Sequence, residues 1–189
     1  MTGILYDFEQ PDRFVAGTVG QPGSRTFYLQ ARAGARTVSV ALEKMQVAAL
    51  AERLAELLDE VRRRQGADSI VPAGPPVGAD DVAPLDAPVE EEFRAATLSL
   101  AWEESSGRVI IEAMAPGESD DEETGIPDPD APAPDTLRVQ LTPTAARSFV
   151  KRAERVVAAG RPPCPLCGNP LDPEGHVCPR QNGHHRVLA

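Results

Sequence analysis

The residues of this chain best suited to chemistry are its three cysteines, which all lie near the C-terminus. Cys164 and Cys167 belong to the segment Cys-Pro-Leu-Cys-Gly, in which two thiols leave one tight turn. A second short turn, Gly-His-Val-Cys-Pro, adds His176 and Cys178. Three sulfurs and one imidazole nitrogen form a donor set suited to tetrahedral zinc. We therefore predict a zinc site made by Cys164, Cys167, His176 and Cys178.

The fourth ligand of this predicted site has competitors, because two more histidines follow closely. His184 and His185 compete with His176, and five residues between Cys178 and His184 are also a workable spacing. His176 is favoured because it lies inside the second turn, whereas the other two lie in the tail. The segment between the two turns is too short and proline-rich to fold by burying apolar surface, so a metal ion would hold it in shape. This dependence favours a structural site over a catalytic one.

A cysteine pair separated by two residues also occurs in thioredoxin-like redox proteins. That chemistry needs the pair at the start of a helix, and nothing after Cys167 is helical in pattern, so metal binding is the preferred interpretation. All three histidines lie in or beyond the cysteine turns, so the rest of the chain has no imidazole for general-base catalysis. We predict no catalytic residues, and whether the protein is an enzyme stays open.

Composition limits the classes of partner. The chain has 189 residues and a formal net charge of -10, which argues against nucleic acid and anionic membranes, since both require clustered Lys and Arg. No apolar run is long enough to cross a bilayer, and the start carries no export signal. We therefore expect a cytoplasmic protein with no membrane association.

A larger body, residues 1–160, must position the metal turns. Alternating apolar residues, separated by turn-forming sequences, predict strands, and apolar residues at a spacing of three and four predict helices. The second helix has a capping threonine, Thr142, followed by Pro143 at its first position. The predicted strands cover residues 14–19, 25–31, 36–42, 93–102, 108–114 and 136–141, and the predicted helices cover 44–63 and 143–157.

Two parts of this body align at a constant offset, each with a strand followed by a helix. The aligned pairs are Val38 with Leu137, Val40 with Val139, Leu42 with Leu141, Leu50 with Phe149, Leu54 with Ala153 and Leu57 with Val156. Because hairpin-length turns cannot make parallel crossovers, we expect a mainly antiparallel sheet with both helices packed on one face. The predicted fold class is α+β, with a pseudo-duplicated body of strands followed by a helix.

Two segments interrupt the body. Residues 66–90 are rich in Gly, Ala, Pro and Asp, and residues 116–135 are acidic and rich in proline, so each is predicted to be a loop or disordered. The predicted organisation is therefore the α+β body over residues 1–160 and a zinc-ribbon-like knuckle over residues 161–189.

Several motifs of the chain occur together in one family. They are Tyr-Asp-Phe at 6–8, Pro-Asp-Arg-Phe-Val-Ala-Gly-Thr-Val-Gly at 11–20, Phe-Tyr-Leu-Gln-Ala at 27–31, Val-Ala-Leu-Glu-Lys at 40–44, and the turns Cys-Pro-x-Cys-Gly and Gly-His-x-Cys-Pro-Arg-x-Asn-Gly. In this combination the chain resembles the actinobacterial family called domain of unknown function 3090, over nearly its whole length except the two loops. The resemblance implies a cytoplasmic protein whose gene lies near those of phosphatase-like and kinase-like proteins. It assigns no activity, and an aromatic residue often replaces His184 in the family, which supports His176 as the ligand.

Two functions compete on this basis. The first is a non-enzymatic interaction or regulatory protein, in which the body or the knuckle presents a surface to a protein partner. The second is an enzyme or small-molecule binder of a phosphate-related process, using a cleft in the body with Arg13, Arg25, Glu43 and Lys44 as contacts for a phosphorylated ligand. Nucleic-acid binding through the knuckle is disfavoured, because its charges nearly balance and it has no aromatic residue on which a base could stack.

Overall fold

A computed structural model describes residues 3–21, 23–78, 80–117, 132–160, 164–167, 178 and 180. These residues form eight strands, two α helices and one short 3-10 turn over Gly66–Asp68. The elements are β1 (Leu5–Phe8), β2 (Arg13–Val19), β3 (Thr26–Ala33), β4 (Arg36–Leu42), α1 (Lys44–Gln65), β5 (Glu91–Arg94), β6 (Thr97–Glu103), β7 (Arg108–Met114), β8 (Thr136–Leu141) and α2 (Pro143–Ala158). The predicted α+β class with two helices is confirmed.

The strands make two four-stranded sheets, with the orders β2-β3-β4-β5 and β6-β7-β8-β1. In each sheet three consecutive strands pair antiparallel, and the fourth strand is parallel to the third. The prediction of one mainly antiparallel sheet is therefore corrected to two mixed sheets. Hairpin turns make the antiparallel pairs as expected, whereas the parallel pairs join strands far apart in the chain, which turn chemistry does not indicate.

The two halves of the chain exchange their first strands. β1 precedes β2 but pairs with β8, and β5 precedes β6 but pairs with β4. Phe8 lies opposite Val139 in one parallel pair, and Phe93 lies opposite Val40 in the other. Because Val40 and Val139 are one of the aligned pairs, the two halves have equivalent strand pairing. Each sheet is thus completed by a strand from the other half.

The structure contains two strands where the sequence predicts one over residues 93–102. The main-chain N–H of Ala95 donates to Ala41 in one sheet at 2.9 Å, and that of Ala96 donates to Met114 in the other at 2.8 Å. Gln46 Nε2 donates to both Ala95 O and Ala96 O, at 3.1 and 3.2 Å. The chain therefore changes sheets between two adjacent residues, a step that an alternating apolar pattern conceals.

The helices cover the inner faces of the sheets and supply much of the core. Helix α1 buries the apolar stripe expected from its spacing, including Leu50, Leu54 and Leu58. Helix α2 begins as predicted, because Thr142 Oγ1 accepts a hydrogen bond from Ala145 N at 3.2 Å. None of the described helices combines the length and apolarity needed to cross a membrane. The loop from residue 69 to residue 90 has no helix or strand in its described part and crosses the outside of the body.

Candidate metal centre

Three cysteine side chains converge at the C-terminal end of the described chain. The sulfur atoms of Cys164, Cys167 and Cys178 all lie within 4.8 Å of one another. The Cys164 and Cys178 sulfurs are 3.9 Å apart, far longer than the roughly 2.05 Å of a disulfide bond. Around a tetrahedral zinc ion with Zn–S bonds of about 2.3 Å, sulfur ligands lie about 3.8 Å apart. The observed separation therefore fits a shared metal ion.

Local hydrogen bonds hold the two cysteine turns together. The main-chain N–H of Leu166 points at Cys164 Sγ at 3.4 Å, as expected for a tight turn that aims its amides at a ligand sulfur. Arg180 Nη1 donates to Leu166 O at 2.9 Å, which ties the second turn to the first. Cys164 and Cys178 are buried, while Leu166 at the turn apex is exposed. Cys164 and Cys178 are thus shielded from solvent, whereas Cys167 is partly exposed and the outside of the turn is open.

The electrostatic environment favours the thiolate form of Cys164. Hydrogen bonding from the main chain of Cys167 is the largest effect that lowers the pKa of this thiol, and Leu166 N–H and the other two cysteines add to it against the opposing effect of burial. Thiolate is the form that binds metal ions. The three-sulfur arrangement is therefore chemically suited to a soft or borderline cation.

The structure brings together three of the four predicted ligands. His176 lies outside the described residues, as do the competing His184 and His185. The fourth ligand and the zinc-ribbon-like form of the knuckle therefore stay predictions. The cysteines were found from spacing alone, because turn-borne ligands are local in sequence.

The four residues predicted to contact a phosphorylated ligand separate into two groups. Arg25 and Lys44 line one open cavity of about 540 Å³, together with Phe27 and the end of α2. Arg13 instead faces Asp81 at 2.6 Å, and Glu43 accepts from Arg94 Nη1 at 3.2 Å. Only Arg25 and Lys44 therefore line a common cavity.

Arg25 and Lys44 both lie at the C-terminal end of α2. Arg25 Nη1 donates to Ala159 O at 2.7 Å and its Nη2 donates to Val156 O at 3.2 Å, so this side chain satisfies carbonyls that the helix leaves unpaired. Lys44 is exposed and has no hydrogen bond or ion pair within the described parts of the chain. Arg25 is thus hydrogen-bonded to the end of α2, whereas Lys44 is available to a ligand.

Sequence reasoning missed the largest ionic cluster of the described residues, in which Arg13 and Arg152 bind Asp81. Arg13 lies in one of the segments on which the family resemblance rests, but Asp81 lies in a segment whose composition predicts no fixed structure. The three residues come from β2, the long loop and α2. No spacing signal could have joined them.

Comparison with protein families identifies a family for this chain. A family model described as "Protein of unknown function (DUF3090)" matches residues 6–178, a range that includes both halves of the body and the three cysteines. No curated protein matches the chain significantly, and no solved structure does so either.

Proposed function

Since the chain belongs to the family DUF3090, whose description gives no activity, we propose its function from its own residues. We infer that it is a zinc-binding protein whose metal ion is structural and fixes a surface for a protein partner. The observation that carries this proposal is the convergence of three cysteine sulfurs within 4.8 Å.

The donor set supports zinc over other cations. Thiolates are poor ligands for magnesium and calcium, which prefer oxygen, whereas three sulfurs and one nitrogen are typical of closed structural zinc sites. His176 would supply the nitrogen. Such a site keeps no open position for a substrate, so its role is to hold the turns in place.

The proposed interaction role is supported by the exposed side chain on the turn that the metal ion would hold in place. Leu166 is an exposed apolar side chain at the apex of the first cysteine turn, and its main-chain atoms bind Cys164 Sγ and Arg180. A metal ion at the sulfurs would therefore fix the position of an apolar side chain that points to solvent. Exposed anchors on rigid turns are suited to protein recognition.

Native mass spectrometry of protein purified without chelator tests the metal. We expect one zinc ion per chain in the wild type, and loss of the ion from the Cys164→Ser and Cys178→Ser variants. His176→Ala should weaken retention, whereas His184→Ala and His185→Ala should not. Leu166→Ala is the matched control, since it changes the same turn without removing a ligand. Zinc-free wild type, or full zinc retention by Cys178→Ser, would end this assignment.

The interaction role needs a separate experiment. Leu166→Asp should keep its zinc but lose a partner that zinc-loaded wild type retains in affinity purification, whereas Met45→Asp, a change of another exposed apolar residue on the body, should keep the partner. Equal recovery of that partner by the wild type and Leu166→Asp would remove the knuckle surface from the proposal.

A small-molecule binder is the second candidate, and the cavity beside Arg25 and Lys44 favours it. Its walls carry two cations and the ring of Phe27, with the Arg25 guanidinium 4.9 Å from the ring centroid. An anionic ligand fits this lining. Calorimetry with inorganic pyrophosphate should show binding that Lys44→Ala weakens about tenfold, as expected from loss of a charged hydrogen bond, while the remote Arg53→Ala leaves it unchanged. Absence of any binding heat at low salt would remove this candidate.

A further inference from the structure

Residues 80–86 of the long loop form a strap, the name used below for this segment, across the outer face of the sheet β2-β3-β4-β5. Gln30 on β3 marks that face, since its neighbours Leu29 and Ala31 point into the core. Gln30 Nε2 donates to Asp86 O at 3.0 Å, and Gln30 Oε1 accepts from Asp86 N at 2.8 Å. One side chain thus binds both main-chain groups of a strap residue.

Two arginines converge on one carboxylate of the strap. Arg13 Nε lies 2.6 Å from Asp81 Oδ2, and Arg152 Nη1 lies 2.6 Å from Asp81 Oδ1. The two arginine side chains are only 12% and 7% exposed, so their charges would be left partly buried and mutually repulsive without an anion between them. A hydrogen bond from Arg13 is the main cause that lowers the pKa of Asp81. This cradle therefore requires an anion, and the strap provides one.

The surrounding charges extend the cradle. Lys151 Nζ lies 2.6 Å from Asp80 Oδ1, and Asp86 lies 3.3 Å from Arg13 Nη1 and 3.6 Å from Arg32 Nε. Arg155 Nη2 donates to the main-chain oxygen of Asp81 at 2.5 Å. Four cationic side chains therefore contact three carboxylates and a fifth binds a main-chain oxygen, in a chain whose net charge is -10. The surface beneath the strap is a local concentration of positive charge.

The strap leaves some polar atoms of this surface without a hydrogen bond. Arg13 Nη1, Arg32 Nε and Asp86 Oδ2 are buried atoms without a hydrogen-bond partner within the described residues. Their ion-pair distances of 3.3 and 3.6 Å are longer than those of charge-assisted hydrogen bonds, which are about 2.8 Å. An acidic side chain from a separate peptide, which is not constrained by the rest of the loop, can approach the arginine donors more closely.

The other half of the chain shows that such a cluster is not needed for folding. By register, Gln30 and Ser39 correspond to Glu112 and Arg138 of the other sheet. There the single cation Arg138 lies 3.7 Å from Glu112 Oε1, and Ser99 Oγ donates to Glu112 at 3.0 Å. Asp7 lies opposite Arg138 in the same row, so this row carries two carboxylates and one cation. The cation cluster is thus specific to one of two equivalent faces.

Little apolar contact holds the strap in place. Leu85 packs over Gly17, where a Cβ atom would come within 2.5 Å of Leu85 Cδ2, and Val82 is exposed. The carboxylates of Asp81 and Asp86 are 33% and 35% exposed, so water and salt reach the strap's side of these ion pairs. A segment held mainly by such polar contacts opens at lower cost than a core element. The strap is therefore displaceable, and the glycine leaves a seat for one apolar side chain.

We propose that the surface formed by Arg13, Gln30, Arg32 and Arg152 binds an acidic, extended segment of a partner protein, and that the strap occupies it as an autoinhibitory contact. The site fits a peptide because Gln30 binds main-chain N–H and C=O groups and Gly17 seats a leucine. A phosphate or a nucleic acid offers neither feature. This surface is distinct from the metal centre, and zinc loss leaves the proposal unaffected.

A peptide binding experiment on the full chain tests the proposal. The probe is a fluorescent peptide with the sequence of residues 80–88, Asp-Asp-Val-Ala-Pro-Leu-Asp-Ala-Pro. The Asp81→Ala, Asp86→Ala double variant weakens the strap's own hold, so we expect it to bind the peptide at least tenfold more tightly than the wild type does. The Asp68→Ala, Glu90→Ala variant, which removes two exposed acids outside the cluster, should behave as the wild type. A peptide with asparagine at its three aspartate positions should not bind.

Hydrogen exchange of the wild type tests the proposal without the double variant, in case that variant does not fold. Amides of the strap should exchange at least a hundredfold faster than those of β3, and excess peptide should make them faster still. The proposal fails if the folded double variant binds no peptide at low salt, if the asparagine peptide binds equally well, or if strap amides exchange as slowly as those of β3.

Discussion

Replacing Arg152 with methionine tests how much the buried ionic cluster contributes to stability. Arg152 donates four hydrogen bonds, to Ala16 O at 2.8 Å, to Asp81 O and Oδ1 at 2.7 and 2.6 Å, and to Ala83 O at 2.8 Å. Methionine is unbranched and matches the aliphatic stem of arginine, so the substitution removes the guanidinium while the packing of the stem is kept.

The expected cost follows from which partners are left behind. Removing one member of a fully buried ion pair costs about 3–5 kcal/mol, but Asp81 is 33% exposed and keeps Arg13, so screening reduces this figure. The carbonyl of Ala16, a residue with no exposed surface, loses the donor that Arg152 gives it, a loss of about 1–3 kcal/mol. We expect the free energy of unfolding to fall by about 2–4 kcal/mol.

Urea unfolding followed by circular dichroism measures this change, and the second helix offers a matched control. At the offset that aligns the two halves, Arg152 corresponds to Arg53 of α1, whose side chain is 72% exposed and, among the described residues, pairs only with Glu56. Arg53→Met should cost less than about 0.5 kcal/mol, as for other surface pairs. The reasoning is refuted if Arg152→Met costs under about 1 kcal/mol, or if the two variants cost the same.

Three further outcomes are expected. The pKa of Asp81 is lowered in the folded protein. The contribution of Asp81 to the free energy of unfolding is therefore present above the ordinary aspartate pKa of about 3.9 and is lost as the pH falls through the pKa of the folded state. Asp81→Asn should reduce the fall in stability at acidic pH, and the control Asp68→Asn should not. Gly17→Ala should cost about 1–2 kcal/mol in urea unfolding because the new Cβ meets Leu85, and adding Leu85→Ala should restore most of the loss. Removing the proposed metal ion with a chelator should change the cysteine turns but leave the melting temperature of the body almost unchanged, because the hydrophobic core includes none of the cysteines.

A different result would contradict each of these three predictions. An unchanged acid limb in Asp81→Asn would mean that the Arg13 contact does not stabilise the fold. A Gly17→Ala loss that Leu85→Ala does not relieve would place the clash elsewhere. A large drop in the melting temperature on chelation would show that the cysteine turns support the body.

The helices and hairpins could be predicted because their signals are local. The apolar stripe of α1 and the cap of α2 at Thr142 are each contained within a few adjacent turns. By contrast, β1 has only four residues, too few for alternation to be distinguished from chance. Its parallel partner lies more than a hundred residues away, and no turn sequence encodes that pairing.

The candidate sites divide in the same way. Cys164 and Cys167 were found from their spacing, because one turn holds both. Asp81 could not be linked to Arg13 and Arg152, because each comes from a different element and the loop composition suggests no fixed structure. That segment is held by contacts with side chains that are far from it in the sequence. The composition of the segment itself cannot indicate such contacts.

The exchange of first strands makes the halves of this chain mutually dependent. Shortening the N-terminus through Phe8 would remove β1 and so uncover β8, damaging the sheet of the C-terminal half, while the neighbouring β2 kept its pairing with β3. Either half expressed alone would carry a short strand without its partner and a sheet with an open edge, a state prone to pair with another chain. The body is therefore expected to fold and unfold in one cooperative transition, although its two halves have similar topology.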